Sequence, residues 1–159
     1  LRQYGGGLRD AAVDVADHFL NNGPVLYLDS QQEGERVFNA TDETLAPDQP
    51  LVILIDSGTA SASEIVAGAL HDRERATLIG NSPTFGKGSV QLVFDLSDGS
   101  SVHVTSARWL TPNRQQLDGE GIAPDILVEV TQDDIDNGRD PVLERATQYL
   151  GELSLTPAP

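Results

Sequence analysis

The sequence holds no cysteine and no methionine, few aromatic residues (5%), and only 10 basic side chains against 25 acidic ones. Without cysteine there are no disulfides, no thiolate metal ligands and no sulfur nucleophile, and the redox compartment is left open. The shortage of Lys and Arg, with a formal net charge of -15, argues against nucleic acid, because binding a phosphate backbone depends on cationic side chains displacing counterions. An anionic membrane surface is disfavoured for the same reason. The acids are spread along the chain, and the densest run, Asp133-Asp134-Ile135-Asp136, reads as a solvated face. Long hydrophobic runs are missing too, and the chain opens at Leu1-Arg2-Gln3 without a signal segment, which leads us to expect a piece of a longer polypeptide.

At 159 residues the length suits one domain with a real core. Apolar residues at Leu8, Ala12, Val15, Ala16, Phe19 and Leu20 have the spacing of one buried helical face, ending at Asn21-Asn22-Gly23. Val25 to Leu28 reads as a strand, 29–38 as a loop or hairpin, and 39–50 as a connection without period. Leu51-Val52-Ile53-Leu54-Ile55 is an unbroken apolar run between Pro50 and Asp56-Ser57-Gly58, the pattern of a fully buried parallel strand. A helix over Ser63–His71 and a strand over Ala76–Ile79 complete a strand-helix-strand crossover. Further on, Val90–Leu96 and Ser101–Ala107 flank an Asp98-Gly99 turn, as in a hairpin. A loop at 112–124, a strand at Ile126–Val130 and a helix at Pro141–Leu150 follow. The domain is expected over 1–153, with 154–159 a frayed tail.

The chemistry concentrates in Gly58-Thr59-Ala60-Ser61-Ala62-Ser63-Glu64-Ile65, where the apolar strand turns into a helix. A Ser-Ala-Ser at a helix start is most often just a cap. Here, however, the turn sets backbone N–H groups beside the hydroxyl, as stabilising an oxyanion requires. Ser61 is therefore the nucleophile candidate and Ser63 the expected cap. A serine hydroxyl needs a base. His18, His71 and His103 are poorly placed in the chain; His71 closes the very helix that Ser61 opens, roughly 15 Å away at 1.5 Å per residue. Lys87 is the stronger candidate, flanked by Gly86 and Gly88. Its amine must lose its proton to act, which calls for desolvation; Phe85 and Val90 are expected to dry the site, and no acid occurs from Gly80 to Gln91. Gln91, four residues on, offers a neutral carbonyl to orient the amine. A phosphate-loop reading of Gly80 to Gly88 fails on spacing and on Gly88 standing where a metal-binding hydroxyl belongs, so no nucleotide is expected.

With these residues in view, the chain resembles the carboxy-terminal processing, or tail-specific, serine proteases. The resemblance rests on Leu1-Arg2-Gln3-Tyr4-Gly5-Gly6-Gly7-Leu8, on Thr59–Leu70, on Thr84–Gln91, and on Thr111-Pro112 with Gly121-Ile122-Ala123-Pro124-Asp125. Tyr4 stands where the family's loop typically carries Asn, and 81–83 is one residue longer than usual. The resemblance implies an α/β, crotonase-like or ClpP-like core of strand-strand-helix units, incomplete in this fragment and lacking the family's PDZ domain. It implies Ser61 as nucleophile, Lys87 as general base, Gln91 as the residue orienting it, and an oxyanion hole from the Ala62 N–H with one from Gly6 or Gly7. It further implies protein substrates with exposed C-termini, no metal or other cofactor, and work outside the cytoplasm: periplasm, cell-wall side or thylakoid lumen. Self-association is left open, as is activity of the fragment alone. Two other readings compete: a non-catalytic module holding peptide or lipid-like ligands on the same fold, and a Ser-His hydrolase using His71 or His103.

Overall fold

A computed structural model describes residues 1–155. Eleven elements follow in order: α1 (Arg9–Asp17), β1 (Pro24–Ser30), β2 (Gly34–Asn39), β3 (Val52–Ile55), α2 (Ala62–Asp72), β4 (Thr77–Gly80), β5 (Ser89–Asp95), β6 (Ser101–Leu110), β7 (Ile126–Leu127), α3 (Gln132–Asp136) and α4 (Pro141–Leu155). They form a four-stranded sheet, β2-β1-β6-β5, and a three-stranded sheet, β3-β4-β7. The first is antiparallel throughout. The second is parallel, with Val52 opposite Thr77 and Ile55 opposite Gly80.

The apolar run at 51–55 is indeed a parallel strand, and α2 is the crossover between β3 and β4. Its two faces differ in neighbours. Ile53 and Ile55 enter the main core with Ile65, Ala69 and Leu70 of α2 and Ala12 and Ala16 of α1. Val52 and Leu54 face a second cluster built on Val142 and Ala146 of α4. A strand covered on both faces reads as an unbroken apolar run.

Several boundaries move, each for a visible reason. Helix α1 stops at Asp17 rather than Leu20 because the His18 carbonyl accepts the Leu45 and Ala46 N–H groups, while Leu20 stays buried in the turn beyond. Strand β7 is only Ile126–Leu127; its partner β4 ends at Gly80, whose carbonyl takes the Val128 N–H, and the chain then leaves the sheet. The acidic run is not simply a solvated face. It forms α3, in which Asp134 is buried, accepts from the Thr131 N–H at 2.9 Å, and pairs with Arg139 at 2.6 Å. Helix α4 runs on through Ser154 and Leu155, the first two residues of the expected tail; the rest of that expectation lies outside the described residues.

Candidate active site

Ser61 occupies the turn between β3 and α2 with φ 56° and ψ -118°. A non-glycine residue at positive φ costs of order 1–3 kcal/mol and persists only where its surroundings impose it. Those surroundings are the glycine loop at the N-terminus. The Ala60 N–H and the Ser63 hydroxyl both donate to the Tyr4 carbonyl, at 3.2 and 3.0 Å. Tyr4 acts here through its main-chain carbonyl, while its side chain is exposed. Gly6, at φ +97°, packs so closely that a β-carbon on it would fall 2.6 Å from the Ala60 oxygen and 2.8 Å from the Ala62 nitrogen. The cap position belongs to Ser61 itself. Ser63, expected to be the cap, is instead buried two residues further in and tied to Tyr4.

The Lys87 loop is held from below by a residue to which the sequence reading gave no role. Glu64 is fully buried, and its carboxylate accepts four hydrogen bonds: from the Ser61 N–H (2.8 Å), the Thr84 hydroxyl (2.5 Å), the Gly86 N–H (2.7 Å) and the Lys87 N–H (2.8 Å). One carboxylate thereby fixes the serine turn and the lysine loop to each other. Thr84 passes the restraint on, accepting the Ile122 N–H at 2.8 Å. Gly86, at φ +83°, lies where a β-carbon would meet the Leu117 oxygen at 2.7 Å. The Trp109 indole N–H donates to the Lys87 carbonyl at 3.0 Å, and Asp118 accepts the Gly88 N–H at 3.2 Å. The segment 80–91 is free of acids in sequence, yet folding brings Glu64 and Asp118 against its backbone. A signal for Glu64 was present: an acid three residues after a helix-start serine is the capping-box pattern.

These restraints bring Ser61, Ala62, Gly7, Lys87 and Gln91 onto one cleft of about 500 Å³, with Leu26, Leu28, Ile65 and Trp109 as its apolar lining. Gly6 is not on the lining but directly behind it, against Ser61 and Ala62. Lys87 precedes β5 rather than sitting on it. A register shift between Val90 and Gln91 then separates it from the regular part of the strand. The expected drying by Phe85 is not seen: Phe85 is 63% exposed and does not line the cleft, whereas Val90 does. Lys87 is exposed as well.

The histidines separate. His71 lies at the far end of α2, bound through Nε2 to Asp125 at 3.0 Å, whose second oxygen accepts the Leu78 N–H. His18 is exposed and not on the cleft. His103, on β6 opposite Val93, does line the cleft, and its Nε2 lies 3.2 Å from the Ser101 hydroxyl. Sequence separation gave no hint of this, because the hairpin turn at 97–100 folds β6 back beside β5.

A serine on a strained strand-to-helix turn, facing a lysine loop across a partly apolar cleft, is a layout of nucleophilic hydrolases. Comparison with known proteins gives the family. Residues 1–128 match the model of peptidase family S41. A carboxyl-terminal-processing protease of Synechocystis is 46% identical over 129 residues, 81% of this chain and 30% of that protein. Carboxyl-terminal-processing peptidase 3, chloroplastic, of Arabidopsis thaliana is 45% identical over 127 residues, 79% of this chain and 24% of its own length. Among solved structures, a photosystem II D1 C-terminal processing protease superposes with a TM-score of 0.71 at 43% identity, covering 80% of this chain and 33% of that one. The chain belongs to peptidase family S41. It spans about a third or less of the length of these relatives.

Proposed function

We propose that this chain carries the catalytic site of a tail-specific serine peptidase, with Ser61 as nucleophile and Lys87 as general base. The observation that carries the reading is the single cleft shared by Ser61, Ala62, Gly7, Lys87 and Gln91. In the proposed cycle the neutral Lys87 amine takes the proton from Ser61 Oγ as Oγ attacks the scissile carbonyl carbon. The tetrahedral oxyanion forms against the Ala62 N–H and an N–H of Gly6 or Gly7. Collapse breaks the C–N bond, and the Lys87 ammonium returns its proton to the leaving amine. Water then hydrolyses the acyl ester with Lys87 as base again. Gln91 orients the amine. Since Lys87 is exposed without substrate, its desolvation falls to the bound peptide itself. Substrates are proteins with accessible C-termini, a specificity that the names of the relatives support. Work outside the cytoplasm is part of the same reading, and the only support for it is that some relatives are named chloroplastic; among the described residues no helix is long and apolar enough to cross a membrane.

The test is labelling of Ser61 by a fluorophosphonate, together with peptide turnover by the full-length protein. Ser61→Ala abolishes both. Lys87→Ala lowers turnover at least a hundredfold, within the range for loss of a general base; unchanged turnover in that variant excludes the lysine mechanism. Absence of labelling in every form favours a binding module. The presence of His103 on the cleft supports a second reading, a Ser-His pair. It predicts that labelling and turnover are lost in His103→Asn and persist in Lys87→Ala.

A further inference from the structure

The cleft carries a charge unlike that of the molecule around it. The chain has 25 acidic residues, yet among the described residues the cleft lining includes no carboxylate and two cations, Arg9 and Lys87, with His103 beside them. Lys87 has a role in the proposed chemistry and Arg9 has none. Arg9 opens α1, next to Gly7 and Leu8 on the cleft wall that carries the glycine loop. Its guanidinium is held over the Phe38 ring of β2, 4.3 Å from the centroid, and Arg36 approaches the same ring at 5.5 Å. Stacking of this kind fixes the plane of the guanidinium. Within the protein, Arg9 pairs with Asp10, at 2.7 Å from Nε and 2.6 Å from Nη2; Asp10 is solvent-exposed. A pair so exposed contributes little and is readily exchanged for a better-placed anion.

We propose that Arg9 is a specificity-determining residue that receives a carboxylate of the bound peptide, so that the preferred substrate combines an apolar segment, lying on Leu26, Leu28, Ile65 and Trp109, with one negative charge toward the α1 end. The inference deepens the peptidase reading and rests on it for the word substrate. The carboxylate comes from an acidic side chain or from the peptide's own C-terminus. Planar, bidentate recognition of a carboxylate is what a fixed guanidinium provides and a mobile ammonium does not.

Binding is measured without relying on turnover, through the fluorescence of Trp109, which lies on the cleft and is the only tryptophan in the chain. Three apolar peptides are compared: one with an internal Glu and blocked ends, the same peptide with Gln, and the Gln peptide with a free C-terminal carboxylate. At least one charged peptide is expected to bind about fivefold tighter than the neutral one, the scale of a partly exposed ion pair. Which peptide does so identifies the source. The ratio falls to about one in Arg9→Gln and is only partly kept in Arg9→Lys, whose ammonium retains the charge but not the stacked planar fork. Equal binding of all three peptides overturns the proposal, and so does a preference that persists in Arg9→Gln, which would assign it to Lys87. Should Arg9→Gln fail to fold, the wild-type ratio between about 0.05 and 0.5 M salt decides: collapse toward one supports an ion pair, and constancy excludes it. Charge preference without turnover would sink the peptidase reading alone, and turnover without charge preference would sink this inference alone.

Discussion

At the scale of single residues, Glu64 and Gly6 set the geometry of the site without being reactive. Glu64 makes four hydrogen bonds from full burial, and hydrogen bonds to a charged group contribute about 1.5–3 kcal/mol each. Glu64→Gln keeps the shape but turns an amide N–H₂ toward backbone donors. It is expected to cost about 3 kcal/mol in urea unfolding and to lower turnover through loss of the Lys87 position. A Tm unchanged within a degree would show that the carboxylate is not what joins the two loops. Gly6→Ala places a methyl group 2.6 Å from the Ala60 oxygen at a φ of +97°. The nearest residues are those of the serine turn, so the expected outcome is loss of fluorophosphonate labelling at Ser61 with a stability loss of about 1–3 kcal/mol. Gly5→Ala, where a β-carbon meets nothing within 4 Å, is the matched control and is expected to be tolerated.

Among the elements, α2 does two things at once. Its N-terminus presents Ser61 and Glu64 to the site, and its apolar face, with Ile65, Ala69 and Leu70, fills the main core against β3 and α1. The nucleophile candidate is thus carried at the mouth of a helix buried along most of its length. Helix α4 is the partner of the other face of β3 and β4, with Val142 1% exposed and Tyr149 hydroxyl 3.1 Å from the Thr77 hydroxyl. Val142→Ala is expected to cost about 2 kcal/mol in denaturant unfolding, while leaving Ser61 labelling intact, since α4 does not line the cleft. Loss of labelling in that folded variant would mean that the two clusters are coupled. Most elements were legible in the sequence because their periodicities are local: α1, α2, the β5–β6 hairpin and the parallel run at β3. Element ends were less so. The early stop of α1 depends on Leu45 and Ala46 reaching the His18 carbonyl, and the shortness of β7 depends on the length of β4. Helix α3 was hidden by its charge, because its single buried acid, Asp134, looks in sequence like its exposed neighbours.

Across the whole molecule, the acid excess and a few well-bound carboxylates govern the response to pH. Hydrogen bonding from Arg2 is the main cause holding Asp140 below the usual carboxylate range. Burial works to raise the Asp56 carboxyl, but bonds from Gln3, Gly58 and Thr59 together outweigh it and leave it lowered. Groups whose pKa is depressed by folding bind fewer protons when folded. Their stabilisation is present in full above the unfolded value of about 3.9 and is lost as pH falls below it, through the lowered folded values. Stability is therefore expected to hold between about pH 5 and 7 and to fall steeply below about pH 4. Asp140→Asn is expected to weaken the protein at pH 7 and to flatten that acid limb; an identical limb in urea melts from pH 3 to 6 would exclude the Arg2 pair as a contributor. The pair also matters architecturally, because it ties the N-terminal loop that supports Ser61 to the start of α4.

By itself the sequence determined most of the kinds of element, α3 excepted, the strand-turn-helix setting of Ser61, and the candidates Lys87 and Gln91, because these follow from short-range patterns of apolarity, glycine and polar side chains. Only the tertiary structure decided that Glu64 clamps two loops, that Trp109 supports Lys87, that His103 and Arg9 reach the cleft, and that Phe85 does not. Those facts depend on which distant segments pack together, and the chain encodes such packing through the summed burial of its whole core rather than at any one position.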